Sequence, residues 1–129
     1  MNKIVIKAEN APEAIGSYSQ AIESEGVVYL SGQIPLDPES MELVTGGFVD
    51  QAEQVFRNIY AVLHAAELDW SHVVKLNVYL VDLEDFAALN EVMSRHLTSP
   101  FPARAAVQVA ALPKGAMIEI DGIAFRDSD

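Results

Sequence analysis

Arg104 has the residue type and the setting of an anion-binding group. It lies in the apolar run FPARAAVQVAAL (residues 101–112), close behind two prolines. If this run forms a strand, Arg104 shares a face with Ala106, Gln108 and Ala110, and the alanines leave open space beside the guanidinium. A guanidinium shielded from water needs an anionic partner. That partner is either a carboxylate of the chain itself or a substrate carboxylate, which the planar fork of arginine binds through two parallel hydrogen bonds.

Glu119 is the candidate for orienting or deprotonating a water molecule. It alternates with isoleucines in the run AMIEIDGIAF (residues 116–125), which we expect to form the strand beside that of Arg104. A carboxylate next to Arg104 in a cleft could orient or deprotonate a water molecule. The alternative is that Glu119 and Asp121 simply face solvent, and the spacing of the residues leaves both interpretations open.

Four other residues are candidates for contacts with a ligand. Ser31 ends a predicted strand beside Gly32, and a glycine there lets a ligand approach the backbone closely. Tyr18 follows a glycine in an irregular segment, and Asn90 lies on the apolar side of a predicted helix, where its amide needs hydrogen-bond partners. Each has a plain structural alternative. A tyrosine commonly packs half-buried, an asparagine can cap a backbone group, and a serine without a histidine and an aspartate gives weak support for a nucleophile.

The spacing of potential metal and phosphate ligands favours neither a metal site nor a bound cofactor. His64, His72 and His96 are far apart and have no ligand-type spacing, and the chain has no cysteine. The doublet Gly46-Gly47 precedes a predicted helix without the longer glycine-rich pattern of a phosphate-binding loop. We therefore expect the chain to work with its own side chains alone.

Composition favours one cytoplasmic domain that self-associates. The 129 residues suffice for a single ordinary core, so we treat residues 1–129 as one domain. Half of the residues are hydrophobic and the mean hydropathy is +0.17, which is high for a soluble monomer and favours an oligomer interface. No run of about 18 apolar residues exists, which excludes a membrane-spanning helix. Neither a signal-peptide pattern nor a cysteine is present, and this favours the cytoplasm.

The charge balance disfavours a nucleic-acid partner. The net charge is −11, because 19 acidic residues face 8 basic ones. The basic residues are scattered along the chain and form no stripe. A protein that binds a phosphate backbone needs a cluster of basic residues on its surface, which this sequence does not indicate.

Hydrophobic periodicity predicts the element order β-β-β-α-β-α-β-β. Between Val49 and Ala66, apolar residues recur at helical spacing, at Ala52, Val55, Phe56, Ile59, Val62, Leu63 and Ala66. Asp82 is placed to cap a second helix, whose predicted apolar face is Phe86, Leu89, Val92, Met93 and Leu97. The strand between the helices has its apolar side chains on one face, at Val74, Leu76, Val78 and Leu80. Strands are predicted at residues 3–8, 18–22, 26–35, 72–82, 103–112 and 116–125. The result is an α+β domain with two helices on one face of a mixed sheet, whose other face self-association would cover.

Four segments carry a family resemblance and cover nearly the whole chain in order: ENAPEAIGSYSQAI, YLSGQIPLDP, NVYLVDLEDFAALNEV and FPARAAVQVAALPKGAMIEIDGIA. Through them the chain resembles the Rid family, also called the YjgF or reactive intermediate deaminase family. The resemblance implies a chorismate-mutase-like fold and a homotrimer, with the sheets facing inward as a barrel and the helices outside. It also implies that the active clefts lie between subunits.

The resemblance further implies an activity and a role for each candidate residue. Family members of this type hydrolyse 2-imino acids or their 2-enamine tautomers to 2-oxo acids and ammonia without a cofactor, as 2-iminobutanoate/2-iminopropanoate deaminases. By this resemblance, Arg104 anchors the substrate carboxylate and Glu119 positions the attacking water. Tyr18 joins them as a catalytic residue. The remaining substrate-binding positions are Ser31, Gly32, Asn90 and Ala106.

Two positions depart from the family pattern. Ala106 stands where many members have a cysteine, and Ser17 stands where the usual motif has a proline. If backbone groups make the contact at position 106, alanine suffices, whereas a role for the thiol would change the rate or the substrate range. Two other functions stay open. One is an RNA-directed translation inhibitor or endoribonuclease, to which the family has been linked, and the other is a non-catalytic module that binds a small ligand.

Overall fold

The computed structural model describes residues 2–127, which form six strands and two helices in the predicted order. The strands are β1 (Ile4–Ile6), β2 (Ala21–Ser24), β3 (Val27–Gln33), β4 (Val73–Leu80), β5 (Ala103–Gln108) and β6 (Ile118–Phe125), and the helices are α1 (Phe48–Ala65) and α2 (Phe86–His96). Single 3-10 turns lie directly before β4, directly before α2, and in the loop between β5 and β6. Neither helix is long and apolar enough to cross a membrane.

The six strands form one mixed sheet in the order β1-β2-β3-β6-β4-β5. Neighbouring strands are antiparallel except for β4 and β5, which run parallel because α2 crosses over between them. The expectation that the strand of Glu119 lies beside that of Arg104 is therefore wrong. β4 separates the two strands, since β5 takes the edge of the sheet on one side of β4 and β6 takes the inner position on its other side.

The sequence of α1 explains why it packs on the sheet. All seven residues of its predicted apolar stripe are buried, namely Ala52, Val55, Phe56, Ile59, Val62, Leu63 and Ala66. Full burial of each large side chain contributes about 1.5–3 kcal/mol. At the start of the helix, the backbone N–H of Gly47 donates to the Asp50 carboxylate at 3.1 Å. Gly46 makes the turn into the helix with a φ of +113°, a conformation that favours glycine.

α2 begins one turn later than the predicted cap. Asp82 accepts a hydrogen bond from the backbone N–H of Glu84 at 2.9 Å, but the turn that it caps is the single turn Leu83–Asp85, which leads into α2. Four of the five apolar residues predicted on its inner face are buried: Leu89, Val92, Met93 and Leu97. The fifth, Phe86, is 37 % exposed and lies beside Arg104.

β4 departs from the predicted alternation at its start. The apolar side chains of its second half are buried on one face as predicted, whereas Val74 is 49 % exposed and Val73 is buried instead. The pairing with β6 shifts between Val73 and Lys75. Such a bulge places an extra residue in one strand, so the side chains before it change faces.

Both helices pack on the same face of the sheet, and within residues 2–127 the opposite face has no helix over it. We call this opposite side the open face. Its half-buried or exposed side chains on the central strands include Val27, Tyr29, Ser31, Lys75, Asn77, Tyr79, Glu119, Asp121, Ile123 and Phe125. The α+β fold with two helices on one face of a mixed sheet is confirmed, while the homotrimer stays a prediction.

Candidate active site

A cleft lies where the N-terminal segment passes over the ends of β3 and β6. Its volume is about 410 Å³. We call it the Glu119 cleft, and it brings together four of the seven predicted site residues: Tyr18, Ser31, Gly32 and Glu119. The rest of its wall is mainly apolar and includes Pro12, Ile15, Ile34, Leu36 and Pro113. The cleft thus combines one polar end with an apolar lining, which is typical of sites for small molecules.

Gln20 fixes the wall of the Glu119 cleft. Its side chain is buried, and its amide oxygen accepts a hydrogen bond from the backbone N–H of Ala8 at 2.6 Å. Its amide nitrogen donates to the carbonyls of Ala8 and Pro12 at 3.1 Å and 2.7 Å. These bonds satisfy backbone groups of an irregular segment that has no sheet partner, so the segment follows one path over the cleft.

Ser31 and Tyr18 present oxygen atoms to the cleft in different ways. The Ser31 hydroxyl donates to the Ser19 carbonyl at 2.5 Å, so its proton is held by the backbone. An oxygen held in this way can accept a hydrogen bond from a ligand, but it has no adjacent base to make it a nucleophile. The Tyr18 hydroxyl accepts the backbone N–H of Ile15 at 3.3 Å, which leaves its phenolic proton available to a ligand.

Glu119 closes the polar end of the cleft. It lies on the open face opposite Tyr79 of β4 and packs against Gly32 of β3. A Cβ at position 32 would overlap the Glu119 carboxylate and lie only 3.0 Å from its Cδ, so the glycine makes room for the acid. Burial, followed by the negative charge of Asp121, raises the pKa of Glu119. A carboxyl group with a raised pKa is suited to proton exchange nearer to neutral pH.

Asp121 lies beside Glu119 on the open face within a hydrogen-bonded trio. One of its carboxylate oxygens accepts from the Asn77 amide at 2.8 Å, and the other accepts from the Tyr79 hydroxyl at 2.9 Å. The bond to Asp121 raises the pKa of Tyr79. Because each carboxylate oxygen has a donor from β4, Asp121 keeps one orientation two residues from Glu119 on the same strand.

A second cleft lies on the helical side of the sheet, between β5 and α2. Its volume is about 250 Å³, and its lining is Asn90, Met93, Ser94, Leu97, Phe101, Pro102 and Arg104. We call it the Arg104 cleft. It holds two predicted site residues, Arg104 and Asn90. Ala106 lies two positions further along β5, partly buried against the core.

The guanidinium of Arg104 is held on one side. Its Nη1 donates to Asn90 Oδ1 at 2.5 Å and contacts Met93 Sδ at 3.4 Å, and its Cζ lies 5.0 Å from the centre of the Phe86 ring. Among residues 2–127, no carboxylate lies within ion-pair distance of Arg104. Within the same part of the chain, its Nε and Nη2 have no hydrogen-bond acceptor. Of the two anions considered for Arg104, a carboxylate of its own subunit is therefore not the one it meets here.

The two clefts lie on opposite faces of the sheet. Arg104 is in register with Leu76, whose side chain points into the helical core, whereas Glu119 is in register with Tyr79 on the open face. Within one chain, the structure therefore separates Arg104 and Asn90 from Tyr18, Ser31, Gly32 and Glu119. These residues therefore form no continuous site within a single subunit, and the location of the active clefts between subunits stays a prediction.

Comparison with known proteins assigns the family. A family model described as endoribonuclease L-PSP matches residues 8–126. The 2-iminobutanoate/2-iminopropanoate deaminase of Capra hircus is 50 % identical over 122 residues, which cover 95 % of this chain and 89 % of that protein. This chain belongs to the Rid (YjgF) family. The resemblance to this family is confirmed.

Two further proteins are similar to this chain over nearly its whole length. Protein DfrA of Myxococcus xanthus is 53 % identical over 126 residues, which cover 96 % of each chain. The crystal structure of RidA from the Antarctic bacterium Psychrobacter sp. PAMC 21119 has a TM-score of 0.91 and 55 % identity, and the match covers 95 % of this chain and 98 % of that one. The Rid fold is thus present over nearly the whole chain.

Several residues that shape the two Rid clefts could not be recognised from the sequence. Phe86 follows a helical apolar pattern and was expected in the core, but its ring lies against Arg104. Gln20 is one amide at the start of a short strand, and nothing in its neighbours indicates three backbone partners. Tyr79 and Asp121 do alternate with apolar residues, which indicates that they share a face with Glu119. Their contact with each other depends on the register between β4 and β6.

Two of the three histidines make local contacts in this Rid chain. His96 stacks on the Phe56 ring at 5.1 Å between ring centres and contacts Glu53 at 3.0 Å. His72 contacts Asp69 at 3.2 Å within the turn before β4. Within residues 2–127 there is no group of three or more His, Cys, Asp or Glu side chains placed to hold a metal ion.

Proposed function

We propose that this Rid-family chain is a deaminase that hydrolyses reactive 2-imino acids, and their 2-enamino tautomers, to 2-oxo acids and ammonia. The observation that carries the proposal is the free side of Arg104, whose Nε and Nη2 donors meet no acceptor in residues 2–127. A 2-imino acid supplies a matching carboxylate next to its reactive C=N carbon. The Capra hircus relative is named for this reaction on 2-iminobutanoate and 2-iminopropanoate.

The complete site would form between subunits. Arg104 and Glu119 lie on opposite faces of one sheet, so one chain cannot bring both to the same small molecule. Copies of the chain can do so if the Arg104 cleft of one subunit meets the Glu119 cleft of the next around a closed ring. A homotrimer with its open faces turned inward would also remove the mixed apolar surface of that face from water.

In this site Arg104 binds the substrate carboxylate through Nε and Nη2, while Asn90 and Phe86 hold the guanidinium from the other side. This contact fixes the C=N carbon against the Glu119 cleft, and orientation of this kind supplies much of the acceleration of an intrinsically easy hydrolysis. Tyr18 donates a hydrogen bond to the reacting group. The remaining substrate contacts come from Ser31 and from the backbone at Gly32 and Ala106.

Glu119 transfers protons between the attacking water and the substrate nitrogen. As the water oxygen bonds to the C=N carbon, the Glu119 carboxylate takes one water proton, the π pair moves to nitrogen, and the proton passes to that nitrogen to give a carbinolamine. Glu119 then removes the hydroxyl proton and delivers it to the same nitrogen while the C–N bond breaks. The oxygen pair forms the C=O bond, and ammonia leaves. One water is consumed and no oxidant or cofactor takes part.

The substitution Arg104→Ala tests this site. We expect a fall in kcat/KM of about 100-fold, because the substrate carboxylate loses its anchor while the chain keeps its fold and assembly. The assay follows the loss of semicarbazone signal from imines that a threonine dehydratase generates. Arg57→Ala, at an exposed arginine outside both clefts, is the matched control and should keep full activity.

Two outcomes would overturn the proposal at different levels. Retained activity in Arg104→Ala would remove Arg104 from the site. A wild-type protein that binds 2-oxo acids but turns over no imine derived from serine, threonine or branched-chain amino acids would instead be a ligand-binding module. We also propose a cytoplasmic location, which the cysteine-free sequence fits, and localisation of the tagged protein tests it.

Cleavage of RNA is the second candidate function, because the family model is described as an endoribonuclease. The net charge of −11 opposes it, and the lining of the Glu119 cleft includes two carboxylates, Glu13 and Glu119, but no lysine or arginine. Filter binding with a mixed RNA pool at low salt separates the two functions. Salt-dependent retention of RNA would favour the nuclease, and no retention would leave the deaminase.

A further inference from the structure

Asp121 has no role in the reaction described above, yet it is the charged neighbour of Glu119 on the same strand and face. We propose, on the basis of the deaminase function, that Asp121 is a positioning residue whose fixed negative charge acts on the neighbouring Glu119. Held by Asn77 and Tyr79, it would thereby set the pH range in which Glu119 passes protons to the substrate nitrogen. Asp121 acts through Glu119 and touches no substrate.

The register of β4 and β6 supports this role. Residues two apart on a strand lie roughly 7 Å apart and point to the same side of the sheet. Asn77 lies opposite Asp121, and Tyr79 lies opposite Glu119 and diagonal to Asp121. Because both Asp121 oxygens accept hydrogen bonds from β4, the negative charge cannot turn away into solvent. The charge of Asp121 is therefore held on the open face, next to the side chain of Glu119.

The other groups around Glu119 do not cancel this charge within the described chain. From β3, Ser31 and Gly32 bring no charge to the cleft, and the N-terminal segment brings Tyr18 and Glu13. Two further groups near Glu119, Tyr79 and Lys75, lie on β4.

Tyr79 of β4 donates to Asp121, and Lys75 lies on the same face but is paired in register with Ile123. Lys75 makes no ion pair with either acid in residues 2–127. In the proposed intersubunit cleft, Arg104 of the partner subunit would face Glu119, but the substrate carboxylate binds that arginine. Burial and Asp121 are accordingly the two causes that raise the pKa of Glu119.

The substitution Asp121→Asn removes the charge while keeping the shape and one acceptor oxygen. Without the negative neighbour, Glu119 releases its proton more easily, so the acid limb of the pH profile of kcat/KM should move to lower pH. About one pH unit below the wild-type midpoint, activity should rise several-fold, while the plateau stays within about twofold. Asp127→Asn removes the same charge from an exposed site after β6 and should leave the profile unchanged.

A second readout does not depend on catalysis. Carbon-13 NMR of carboxyl-labelled glutamate, with the Glu119 signal assigned by its loss in Glu119→Gln, follows the titration of this group directly. The midpoint should move to lower pH in Asp121→Asn. An unchanged midpoint and pH profile, even with altered stability or assembly, would overturn the proposal and make the trio a structural feature. Because NMR needs no substrate, a protein inactive on imines would contradict the deaminase function without deciding this test.

Discussion

Glu23 with Arg126, and Glu119 with Arg104, are two sets of the same residue types in opposite arrangements. Arg126 donates to both carboxylate oxygens of Glu23 at 2.8 Å and to the Ala66 carbonyl at 2.7 Å. Each charge of this ion pair has its partner within the chain, and we call Glu23 with Arg126 the closed pair. It links β2 and the end of β6 to the end of α1. Arg104 and Glu119 lie in separate clefts, and neither meets an oppositely charged side chain among residues 2–127.

The two glutamates show the electrostatic consequence. Hydrogen bonds from Arg126 lower the pKa of Glu23, whereas burial and the charge of Asp121 raise the pKa of Glu119. A closed pair satisfies its charges inside the fold and contributes to stability. Glu119 is partly shielded from water and has no partner, so its charge costs free energy in the folded chain. Arg104 is exposed in one subunit, and both groups stay available to a ligand, as is common at functional sites.

Breaking the closed pair should have the largest effect on stability. Arg126→Ala leaves the Glu23 carboxylate shielded without its partner, and we expect the free energy of unfolding to fall by about 2 kcal/mol at neutral pH. This is below the range for fully buried pairs, because the Arg126 side chain is 36 % exposed. Urea denaturation measures the change. Arg104→Ala is the matched variant, with an expected change within about 0.5 kcal/mol, and equal losses in both variants would erase the distinction between the two arginines.

The stability deficit of Arg126→Ala should shrink in acid. Because the pKa of Glu23 is lowered in the folded chain, the pair contributes its full stability above the usual pKa of a glutamate and loses it as the pH falls through the lowered value. Denaturation of the wild type and the variant at neutral and acidic pH tests this dependence. A deficit that does not change with pH would assign the effect to lost packing of the arginine stem.

Removing the unpaired charge of Glu119 should change stability by less than the loss of the closed pair, and in the opposite direction. In Glu119→Gln a shielded carboxylate becomes neutral, and we expect about 1 kcal/mol of added stability at neutral pH together with a strong loss of deaminase activity. Because the pKa of Glu119 is raised, the penalty on the folded chain exists only where the group is ionised, so the gain should vanish in acid.

Thermal and urea denaturation at two pH values measure the gain, and the imine assay measures the loss of activity. A destabilised Glu119→Gln at neutral pH would show that Glu119 is a structural acid like Glu23. A conservative Glu119→Asp variant keeps the charge, so it should show no comparable gain in stability.

The smallest effect concerns how the free arginine is held. Phe86→Leu keeps an apolar side chain but removes the ring that lies 5.0 Å from Arg104 Cζ. A cation–π contact at an exposed site contributes about 0.5–1 kcal/mol, so we expect KM to rise about threefold with kcat nearly unchanged. Phe86→Tyr keeps the ring and should restore the wild-type KM. A Leu variant with an unchanged KM would show that Asn90 holds Arg104 without help from Phe86.

Local structure could be predicted from the sequence because it depends on neighbours along the chain. The apolar stripe from Val49 to Ala66 predicted α1, and Asp82 predicted a cap at the entry to α2. The exposed Val74 could not be predicted, since the bulge at this position arises from pairing with β6. For the same reason the adjacency expected for the strands of Arg104 and Glu119 was wrong, because strand order is a property of the whole sheet.

The sequence by itself determined the family, the order of the elements and the residue types able to do the chemistry, since an arginine in an apolar strand is a candidate to bind an anion. It could not determine which arginine finds that anion inside the chain. Only the tertiary structure decided that Arg126 meets Glu23 while Arg104 faces a cleft, and that Glu119 lies on the other side of the sheet. The physical reason is that charges interact through space, and the distance between two side chains depends on strand order, register and face rather than on their separation in the sequence.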